Sequence, residues 1–335
     1  MATDNHVLVT GGAGFIGSHL VDELMARPST RVTVLDRLSQ GGARQNLAAH
    51  EDDPRFTFVV GDVADAELVA RLVSDADAVV HAAAESHVDR SIDGPGGFTI
   101  SNVLGTQNVL DACRAGETRM LMVSTDEVYG PGAPDGGLFD EDSALRPRSP
   151  YAASKAAADL MCQAHVATYG VPVILVRGTN AFGPRQIEKV IPTYTINAIE
   201  GNPVPVYGRG LQRREFLYVT DWVKGALTAL DSGLPGVAYN IGGGYELANI
   251  ELARTICGLA GADESLITMV ADRPGHDFRY GVKFDRLMSL GWKPTVAFDD
   301  GLARTVRWYT QNLTDLRLWH SGEVVTAPRS AGASA

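Results

Sequence analysis

The amino-acid sequence predicts an α/β protein built on a doubly wound parallel sheet, with a smaller loop-rich lobe toward its carboxyl end. Three observations support this fold class. Short β-branched runs alternate with helical stretches through the first 180 residues. Those runs are apolar throughout, as expected of parallel strands covered on both faces by helices. After residue 180 the chain changes to loops rich in proline and glycine.

Six apolar runs are the predicted strands of the sheet. In chain order they are HVLVT (6–10), RVTVL (31–35), FTFVV (56–60), DAVVHA (77–82), RMLMVS (119–124) and VPVILV (171–176). Because residues on both faces of these runs are apolar, helices should pack on both sides of the sheet.

The carboxyl-terminal part has a different character. The segments FGPRQ, GNPVPVYGRG and ADRPGHD are predicted loops, with helices near 190–200, 221–231, 248–260 and 299–311. This pattern predicts a smaller lobe over 181–320, after a first domain over 1–180 to which the chain returns near 216–242. The tail, 321–335, is small and polar and is predicted to be disordered.

Composition excludes several classes of protein. With 335 residues and 45% hydrophobic content, the chain can form one large or two ordinary domains with a sizeable core. No apolar run approaches the roughly 18 to 20 residues that cross a bilayer, and MATDN leads directly into a strand, so we expect the cytoplasm. Cys113, Cys162 and Cys257 lie far apart without metal-binding spacing, so we expect no metal site and three buried thiols.

The formal charge of -11 argues against a nucleic-acid partner, because phosphate-backbone binding needs a concentrated basic surface and the chain has no Lys/Arg run. A small anionic ligand stays open. Lys189, Arg214, Arg273 and Arg279 lie in segments punctuated by glycine and proline and are candidates for binding it. The alternative for each is solvated surface charge.

The first strand is followed by Gly12-x-Gly14-x-x-Gly17 at the opening of a helix, the arrangement of a Rossmann-type dinucleotide site. The small residues let the backbone approach a pyrophosphate at the helix N-terminus. Asp36, at the end of the second strand, is placed to bind both ribose hydroxyls and to repel a 2′-phosphate. NAD is therefore favoured over NADP, although the adjacent Arg37 leaves NADP open. Asp62 would flank the adenine or merely form a turn.

Tyr151 and Lys155 are four residues apart in SPYAASKAAADL and share one helical face. An ammonium beside a phenol favours the phenolate, so the spacing predicts a lowered Tyr151 pKa and a base usable near neutral pH. Such a pair also occurs by chance. After a dinucleotide-binding half and a strand that ends in STDE, the functional interpretation is favoured, with Thr125 as a third group that binds the reacting hydroxyl.

Two adjacent carboxylates, Asp126 and Glu127, follow the fifth apolar run in VSTDEVYG. A single carboxylate there could simply cap a turn or helix. Like charges held close together repel, so a pair is either well solvated or kept for acid and base chemistry with separated pKa values.

These motifs together resemble a known family. Gly11-x-x-Gly14-x-x-Gly17, Tyr151-x-x-x-Lys155 and the chain length are similar to the extended short-chain dehydrogenase/reductases that act on sugar nucleotides. More narrowly, AAESHVDRSI, STDEVYG, SPYAASKAA, PVYG, YNIGGG and RPGHD resemble the dTDP-glucose 4,6-dehydratases over about residues 6 to 310. The most specific element is Thr-Asp-Glu, because related 4-epimerases usually have no acidic residues after the Ser/Thr.

The resemblance implies a reaction in which C4 of a hexose is oxidised, water leaves from C5 and C6, and the hydride returns to C6. Tyr151 would take the O4 proton, with Thr125 and Lys155 holding the geometry. Oxidation makes the C5 hydrogen acidic, so Glu127 can remove it as base. Asp126, kept protonated, can donate to the leaving C6 hydroxyl.

The resemblance also implies the binding residues. The NAD contacts would be Gly11, Gly14, Phe15, Ile16, Gly17, Asp36, Arg37, Ser39, Asp62, Val63, Ala82, Ala84, Ser86, Ser101, Tyr151 and Lys155. The contacts to the nucleoside-diphosphate hexose would be Ser86, Thr125, Asn180, Lys189, Val190, Pro205, Val206, Tyr207, Arg214, Asn249, Arg273 and His276.

The residues that depart from the family pattern are in segments expected to bind the cofactor or the substrate, not among the catalytic residues. Ser39 to Ala43 replaces the usual TYAGN, Ala181 and Phe182 stand for Asn-Tyr, and Glu215-Phe216 stands for Asp-Trp. The nucleotide base therefore stays open between thymidine, uridine and others. The rival functions are a sugar-nucleotide 4-epimerase or decarboxylase, which would leave Asp126 and Glu127 without a task, and a non-catalytic NAD-sensing regulator.

A homodimer is expected from small residues in the helical segments 152–169 and 97–115, which allow helices to pack closely across a two-fold axis. The alternative is that these small faces pack only on the chain's own sheet.

Overall fold

The computed structural model describes residues 5–39, 42–86, 88–132, 137–272 and 277–321, and of 317–321 only the helical backbone. The strands are β1 (Asn5–Thr10), β2 (Thr30–Asp36), β3 (Phe56–Val60), β4 (Ala78–His81), β5 (Arg119–Thr125), β6 (Val173–Gly178), β7 (Asn180–Phe182), β8 (Val204–Tyr207), β9 (Arg213–Tyr218), β10 (Ala238–Ile241), β11 (Glu246–Ala248) and β12 (Ile267–Val270). The α-helices are α1 (Phe15–Met25), α2 (Ala66–Ser74), α3 (Val88–Asp93), α4 (Gly96–Phe98), α5 (Gly105–Gly116), α6 (Pro150–Tyr169), α7 (Val190–Glu200), α8 (Val219–Ser232), α9 (Asn249–Ala260), α10 (Asp285–Met288) and α11 (Phe298–Ser321).

A seven-stranded parallel sheet organises the molecule, in the order β10-β6-β5-β4-β1-β2-β3. The predicted fold class is therefore confirmed, and all six predicted strands are present. The chain adds strands on one side of β1 and then returns to its other side, pairing Thr10 of β1 with His81 of β4. In such sheets, ligands bind beyond the carboxyl ends of the strands at this reversal point. The strand ends at Thr10, Asp36, His81, Thr125 and Gly178 therefore define the expected position of the site.

Two apolar layers cover the sheet because side chains along each strand alternate between its faces. Val7 and Val9 of β1 point into one layer, which is completed by α1 and α8. Leu8 points into the other, which is completed by α2, α5 and α6. Cys113 and Cys162 lie in this second layer and Cys257 in the core of the lobe, so all three cysteines are buried thiols, as predicted.

The carboxyl-terminal lobe contains a three-stranded sheet, β11-β9-β7, and a parallel pair, β12-β8. Helices α7, α9 and α11 pack around the aromatic residues Phe182, Phe216 and Phe298. The prediction that GNPVPVYGRG is a loop was wrong in its centre, where β8 forms. Proline is tolerated there because, among the described residues, β8 pairs with β12 alone, and Pro205 lies opposite Thr268 of β12.

The four predicted helices of the lobe region correspond to α7, α8, α9 and α11, and α11 extends further than the sequence suggested, to Ser321. The predicted helix over 97–115 is interrupted, because residues Thr99–Leu104 form a π-helical turn before α5. The tail from residue 322 lies outside the described residues. Within the described part of the chain, no helix is both long enough and apolar enough to cross a membrane.

Candidate active site

A cavity of about 790 Å³ follows the carboxyl edge of the sheet from the β1–α1 turn into the lobe. All sixteen residues that the sequence assigns to NAD line this cavity, from Gly11 at one end to Lys155 near its centre. Nine of the residues assigned to the sugar nucleotide also line it: Ser86, Thr125, Asn180, Lys189, Val190, Pro205, Tyr207, Arg214 and Asn249. One continuous space therefore joins the two predicted ligand positions.

The glycines of the β1–α1 turn are required by close backbone contacts. Gly11 has φ +73°, and a Cβ there would lie 2.6 Å from the backbone nitrogen of Ala83. A Cβ at Gly17 would lie 2.0 Å from the carbonyl oxygen of Gly11. Any side chain at these positions would clash with the backbone, so the two glycines permit the tight turn that brings the start of α1 to the place where a pyrophosphate would bind. The turn therefore fits a dinucleotide.

Two backbone hydrogen bonds fix the position of the Asp36 carboxylate. Its two oxygens accept hydrogen bonds from the backbone N–H groups of Ala13 at 3.0 Å and Leu38 at 2.8 Å. Burial raises the pKa of this carboxyl, and the two N–H bonds oppose that effect. Each carboxylate oxygen has a second lone pair. Asp36 can therefore still accept hydrogen bonds from ribose hydroxyls.

Helix α6 presents Tyr151 and Lys155 to the end of β5. The helix begins where the Ser149 hydroxyl accepts a hydrogen bond from the N–H of Ala152 at 3.1 Å, with proline in its first turn. One turn later, the Lys155 Nζ donates to the carbonyl oxygen of Val123 at 2.6 Å. Burial lowers the pKa of Lys155 to about 8. This lysine is thus fixed against the strand that carries the carboxylates.

The predicted lowering of the Tyr151 pKa is wrong for the unliganded chain. Burial raises the pKa of this phenol, and the nearby Glu127 and Asp126 carboxylates raise it further, while a hydrogen bond with Thr125 opposes them. The Lys155 ammonium is engaged with the Val123 carbonyl. Formation of the phenolate therefore needs additional positive charge or hydrogen-bond donors beside Tyr151.

Asp126 and Glu127 begin a 3-10 turn, Asp126–Tyr129, directly after β5. The Thr125 hydroxyl accepts from the N–H of Glu127 at 3.3 Å and donates to Asp126 Oδ1 at 3.2 Å. The turn separates the two carboxyl groups by environment: Asp126 is 3% exposed, and Glu127 is partly exposed. Capping by Thr125 accounts for the start of the turn but not for a buried aspartate.

The Asp126 carboxyl has the properties of a proton donor. Burial raises its pKa well above the usual range, and the charges of Glu127 and Glu215 act in the same direction. Its Oδ2 atom is buried and has no hydrogen-bond partner among the described residues. A protonated oxygen that faces a cavity without a partner can donate to a ligand.

The lobe end of the cavity is basic. Arg214 is 7% exposed, lies over the Tyr280 ring at 4.6 Å, and donates to the carbonyl oxygen of Asp277 at 2.9 Å. Lys189 lies at the start of α7 and also lines the cavity. Arg279 does not line it and instead forms an ion pair with Glu246, its Nε donating to Oε2 at 2.8 Å.

One predicted contact residue lies elsewhere. Val206 is completely buried in the lobe core, because alternation along β8 directs Val204 and Val206 inward and leaves Pro205 and Tyr207 at the cavity. Arg273 and His276, predicted substrate contacts, lie outside the described residues, as do Gln40 and Gly41 of the altered ribose loop.

Three polar residues in the cavity wall were not predicted from the sequence. Ser124 Oγ, Thr179 Oγ1 and Trp222 Nε1 are buried and have no hydrogen-bond partner in the described part of the chain. Ser124 could have been found from its place beside Thr125. Trp222 could not, because it lies on α8 among core residues and resembles them in sequence.

Comparisons with known proteins agree with this geometry. The model of the NAD dependent epimerase/dehydratase family matches residues 7–242. A dTDP-glucose 4,6-dehydratase from Actinoplanes sp. is 47% identical over 315 residues, covering 91% of this chain and 98% of the relative. A crystal structure of a dTDP-glucose 4,6-dehydratase from Streptomyces venezuelae, with NAD bound, has a TM-score of 0.89 and 48% identity, covering 92% of this chain and 98% of that one.

The same scaffold also occurs with another activity. The UDP-glucose 4-epimerase of Thermus thermophilus, solved with NAD, has a TM-score of 0.83 and 33% identity, covering 91% of this chain and 98% of its own. The fold therefore does not by itself distinguish dehydration from epimerisation.

Proposed function

The chain belongs to the NAD dependent epimerase/dehydratase family, and from that premise we propose that it is an NAD-dependent dTDP-glucose 4,6-dehydratase. It converts dTDP-glucose to dTDP-4-dehydro-6-deoxyglucose and is a hydro-lyase. The names of its dehydratase relatives support this substrate. The single observation that carries the proposal is the buried carboxyl of Asp126, whose pKa burial raises well above its usual range, beside Glu127 at the end of β5.

The first part of the reaction takes place at C4. The residues of the glycine turn and Asp36 would hold NAD, which when bound supplies a hydride acceptor and a positively charged ring. Tyr151 takes the O4 proton, Thr125 binds the same hydroxyl, and Lys155 fixes the catalytic helix against Val123. Burial and the two carboxylates raise the pKa of Tyr151 in the unliganded chain, and the positive charge of a bound cofactor would act in the opposite direction.

The second part is the elimination of water, and it uses the two carboxyl groups differently. The C4 ketone acidifies the C5 hydrogen, and Glu127 removes that proton as base. Asp126 donates its proton from the unpartnered Oδ2 to the C6 hydroxyl, which leaves as water. Arg214 and Lys189 are the basic residues at the lobe end that we assign to the diphosphate.

The main rival is a 4-epimerase, because the fold is shared with one. An epimerase needs Tyr151 and the cofactor but has no use for a protonated carboxyl group at C6. The regulator alternative is disfavoured because Tyr151 and Lys155 are both present at the cavity. Uridine in place of thymidine is the alternative for the base.

The proposal is tested by incubating purified protein with dTDP-glucose and, separately, with UDP-glucose in deuterated water. We expect a product lighter by one water, with the alkaline absorbance of a 4-keto sugar and deuterium at C5. A product of unchanged mass with inverted C4 would contradict dehydration and support epimerisation. Turnover of UDP-glucose in preference to dTDP-glucose would contradict the assigned base only.

We further propose a homodimer formed through α6 and the segment 99–116. Ile100, Leu104 and Leu160 are 52%, 47% and 53% exposed on these two elements, which pack against each other. A second copy would remove this apolar surface from water. Light scattering should give twice the chain mass at micromolar concentration, and Leu160→Arg should shift the distribution toward monomer. A monomeric parent protein would overturn the proposal.

The division into a cofactor domain over 1–180 and a sugar-nucleotide lobe over 181–320 is likewise a proposal. Its support is that β7, β8, β9, β11 and β12 lie outside the main sheet, while β10 lies at the edge of that sheet, consistent with a return of the chain. The cytoplasmic location stays a prediction.

A further inference from the structure

The adenosine end of the cavity contains a cluster of charged side chains around Arg37. Its NH1 donates to Asp62 Oδ2 at 2.9 Å, its NH2 donates to Glu85 Oε1, and its Nε donates to the Ser39 hydroxyl at 3.0 Å. The cation thus bridges the loops that follow β2, β3 and β4. Its side chain is 35% exposed, as is that of Asp62, and the Glu85 side chain is 18% exposed.

Arg37 follows Asp36, the residue assigned to the adenosine ribose. An arginine near this carboxylate is the group that accommodates a 2′-phosphate in dinucleotide sites that use NADP. Of the five N–H donors of the Arg37 guanidinium, three are already bound to two carboxylates and a hydroxyl, and the two carboxylates neutralise its positive charge, which weakens its attraction for a phosphate. Asp36, Asp62 and Arg37 line this end of the cavity, and their formal charges leave one excess negative charge.

We propose that Glu85, by pairing with Arg37, is a residue that determines the selectivity of this site for NAD over NADP. The proposal rests on the NAD dependence of the proposed function. Arg37 lines the cavity, and Glu85 pairs with it. Without the Glu85 carboxylate, the guanidinium would regain an N–H donor, and its positive charge would no longer be neutralised by this partner.

Glu85 is a better probe of this role than Asp62, because its side chain can be changed without disturbing its backbone. Asn102 holds that backbone from both sides: Glu85 N–H donates to Asn102 Oδ1 at 2.7 Å, and Asn102 Nδ2 donates to the Glu85 carbonyl at 3.0 Å. Asn102 Nδ2 also donates to Ser154 Oγ on the catalytic helix at 2.9 Å. The Asp62 carboxylate, in contrast, also accepts from the N–H of Ala64 at 2.9 Å and shapes its own turn.

The test is a competition between cofactors that needs no turnover. Full-length parent protein and Glu85→Gln are each incubated with equal concentrations of NAD+ and NADP+ until the bound ratio is constant. After desalting, the bound nucleotides are extracted and quantified by chromatography. We expect Glu85→Gln to raise the bound NADP+/NAD+ ratio by about tenfold, the size of effect expected when one charge at close range is removed from a partly solvated site.

Two further variants make the outcome specific. Glu264→Gln removes a carboxylate that pairs with Arg254 at 3.5 Å in the lobe, and it should leave the ratio unchanged. Adding Arg37→Ala to Glu85→Gln should abolish the gain, because the phosphate would then have no cation to meet. Glu85→Ala serves as a second variant and should change the ratio in the same direction.

Two results would overturn the assignment. One is a bound ratio in Glu85→Gln and Glu85→Ala equal to that of the parent. The other is a gain that persists without Arg37. Failure of the parent to retain either nucleotide would count against the proposed function itself, which keeps the two failures distinguishable.

Discussion

The adenosine end and the catalytic end of the cavity satisfy their polar groups in opposite ways. At the adenosine end, Asp36 accepts from two backbone N–H groups, and Arg37 has three side-chain partners from the chain itself. At the catalytic end, buried polar atoms lack partners among the described residues. They are Ser124 Oγ, Asp126 Oδ2, Thr179 Oγ1 and Trp222 Nε1.

The difference indicates that the adenosine end serves to bind the cofactor, whereas the catalytic end serves the reaction. Each of these atoms can form a hydrogen bond with a ligand, and a buried polar group that is left without any partner costs about 1 to 3 kcal/mol. A ligand that supplies the missing partners recovers this free energy when it binds. The adenosine end is preformed to retain one cofactor, while the catalytic end is completed only by the reacting sugar and the nicotinamide.

The largest effect is expected when the Tyr151 hydroxyl, the group assigned to the O4 proton, is removed. Tyr151→Phe should reduce turnover by at least about a thousandfold, because no other group is assigned to the O4 proton. Both transient NADH and exchange of the C5 hydrogen with deuterated solvent should disappear. Cofactor content should stay near the parental value, since the adenosine end is intact. Persistent NADH formation would show that another residue is the base.

A sharper test separates the two carboxylates. Glu127→Gln should still oxidise C4, visible as transient NADH in a stopped-flow trace, but should not exchange the C5 hydrogen with deuterated solvent. Its general acid is intact, but without the C5 carbanion there is nothing for the acid to act on.

Asp126→Asn should fail at a later step. Exchange at C5 should continue because Glu127 is unchanged, while loss of the C6 hydroxyl slows by roughly 10² to 10⁴, the usual contribution of a positioned general acid. If both carboxylate variants dehydrate substrate at near parental rates, the dehydration mechanism is lost and the epimerase alternative replaces it.

The two ends also differ in how well the sequence predicted them. At the adenosine end, Gly17 is required by its close approach to Gly11 within the same turn, and local geometry of this kind leaves a readable spacing in the sequence. At the catalytic end, the positions of Asp126, Tyr151 and Lys155 relative to one another were also predictable, because the end of one strand and one turn of helix determine them. The raised Asp126 pKa agrees with the prediction that this group is kept protonated, whereas the Tyr151 pKa was not predicted, since the burial that raises it depends on the whole fold.

The lobe was the least predictable region. Its strands are short, and Pro205 made β8 resemble a loop, so the alternation that buries Val206 could not be recognised. The ion pair between Arg37 and Glu85 joins residues 48 positions apart in the chain, and no local pattern indicates such a contact. Sequence patterns report what neighbouring residues determine, whereas these features depend on tertiary contacts.

The adenosine end can be tested through cofactor retention. Asp36→Ala removes the carboxylate assigned to the ribose hydroxyls and also its hydrogen bonds to Ala13 and Leu38. Hydrogen bonds to a charged group contribute about 1.5 to 3 kcal/mol, so we expect NAD to bind roughly 10- to 100-fold more weakly. Calorimetric titration measures this, and Asp300→Ala, at an exposed position of α11, is the control. Unchanged affinity in Asp36→Ala would contradict its assignment.

The smallest expected effect is a pH-dependent change in thermal stability caused by the burial of Asp126. It can be measured without substrate. The pKa of Asp126 is raised by burial, then by Glu127 and Glu215, so the folded chain holds this proton at pH values where the unfolded chain has released it. The contribution of this raised pKa to the free energy of unfolding is fully present below the pKa of Asp126 in the unfolded chain, about 3.9. It is lost as the pH rises through the pKa of Asp126 in the folded chain. Asparagine cannot ionise, so a protein with asparagine at this position does not lose this stability.

Asp126→Asn should therefore have a melting temperature close to that of the parent near pH 4. Near pH 8 its melting temperature should be higher than that of the parent, by about one to a few degrees. Scanning fluorimetry of both proteins across this range, with equal cofactor content and with Asp300→Asn as control, measures the difference. A difference that does not change with pH, or one of opposite sign, would mean that Asp126 is ionised in the folded chain, and it could not then be the proton donor to the C6 hydroxyl.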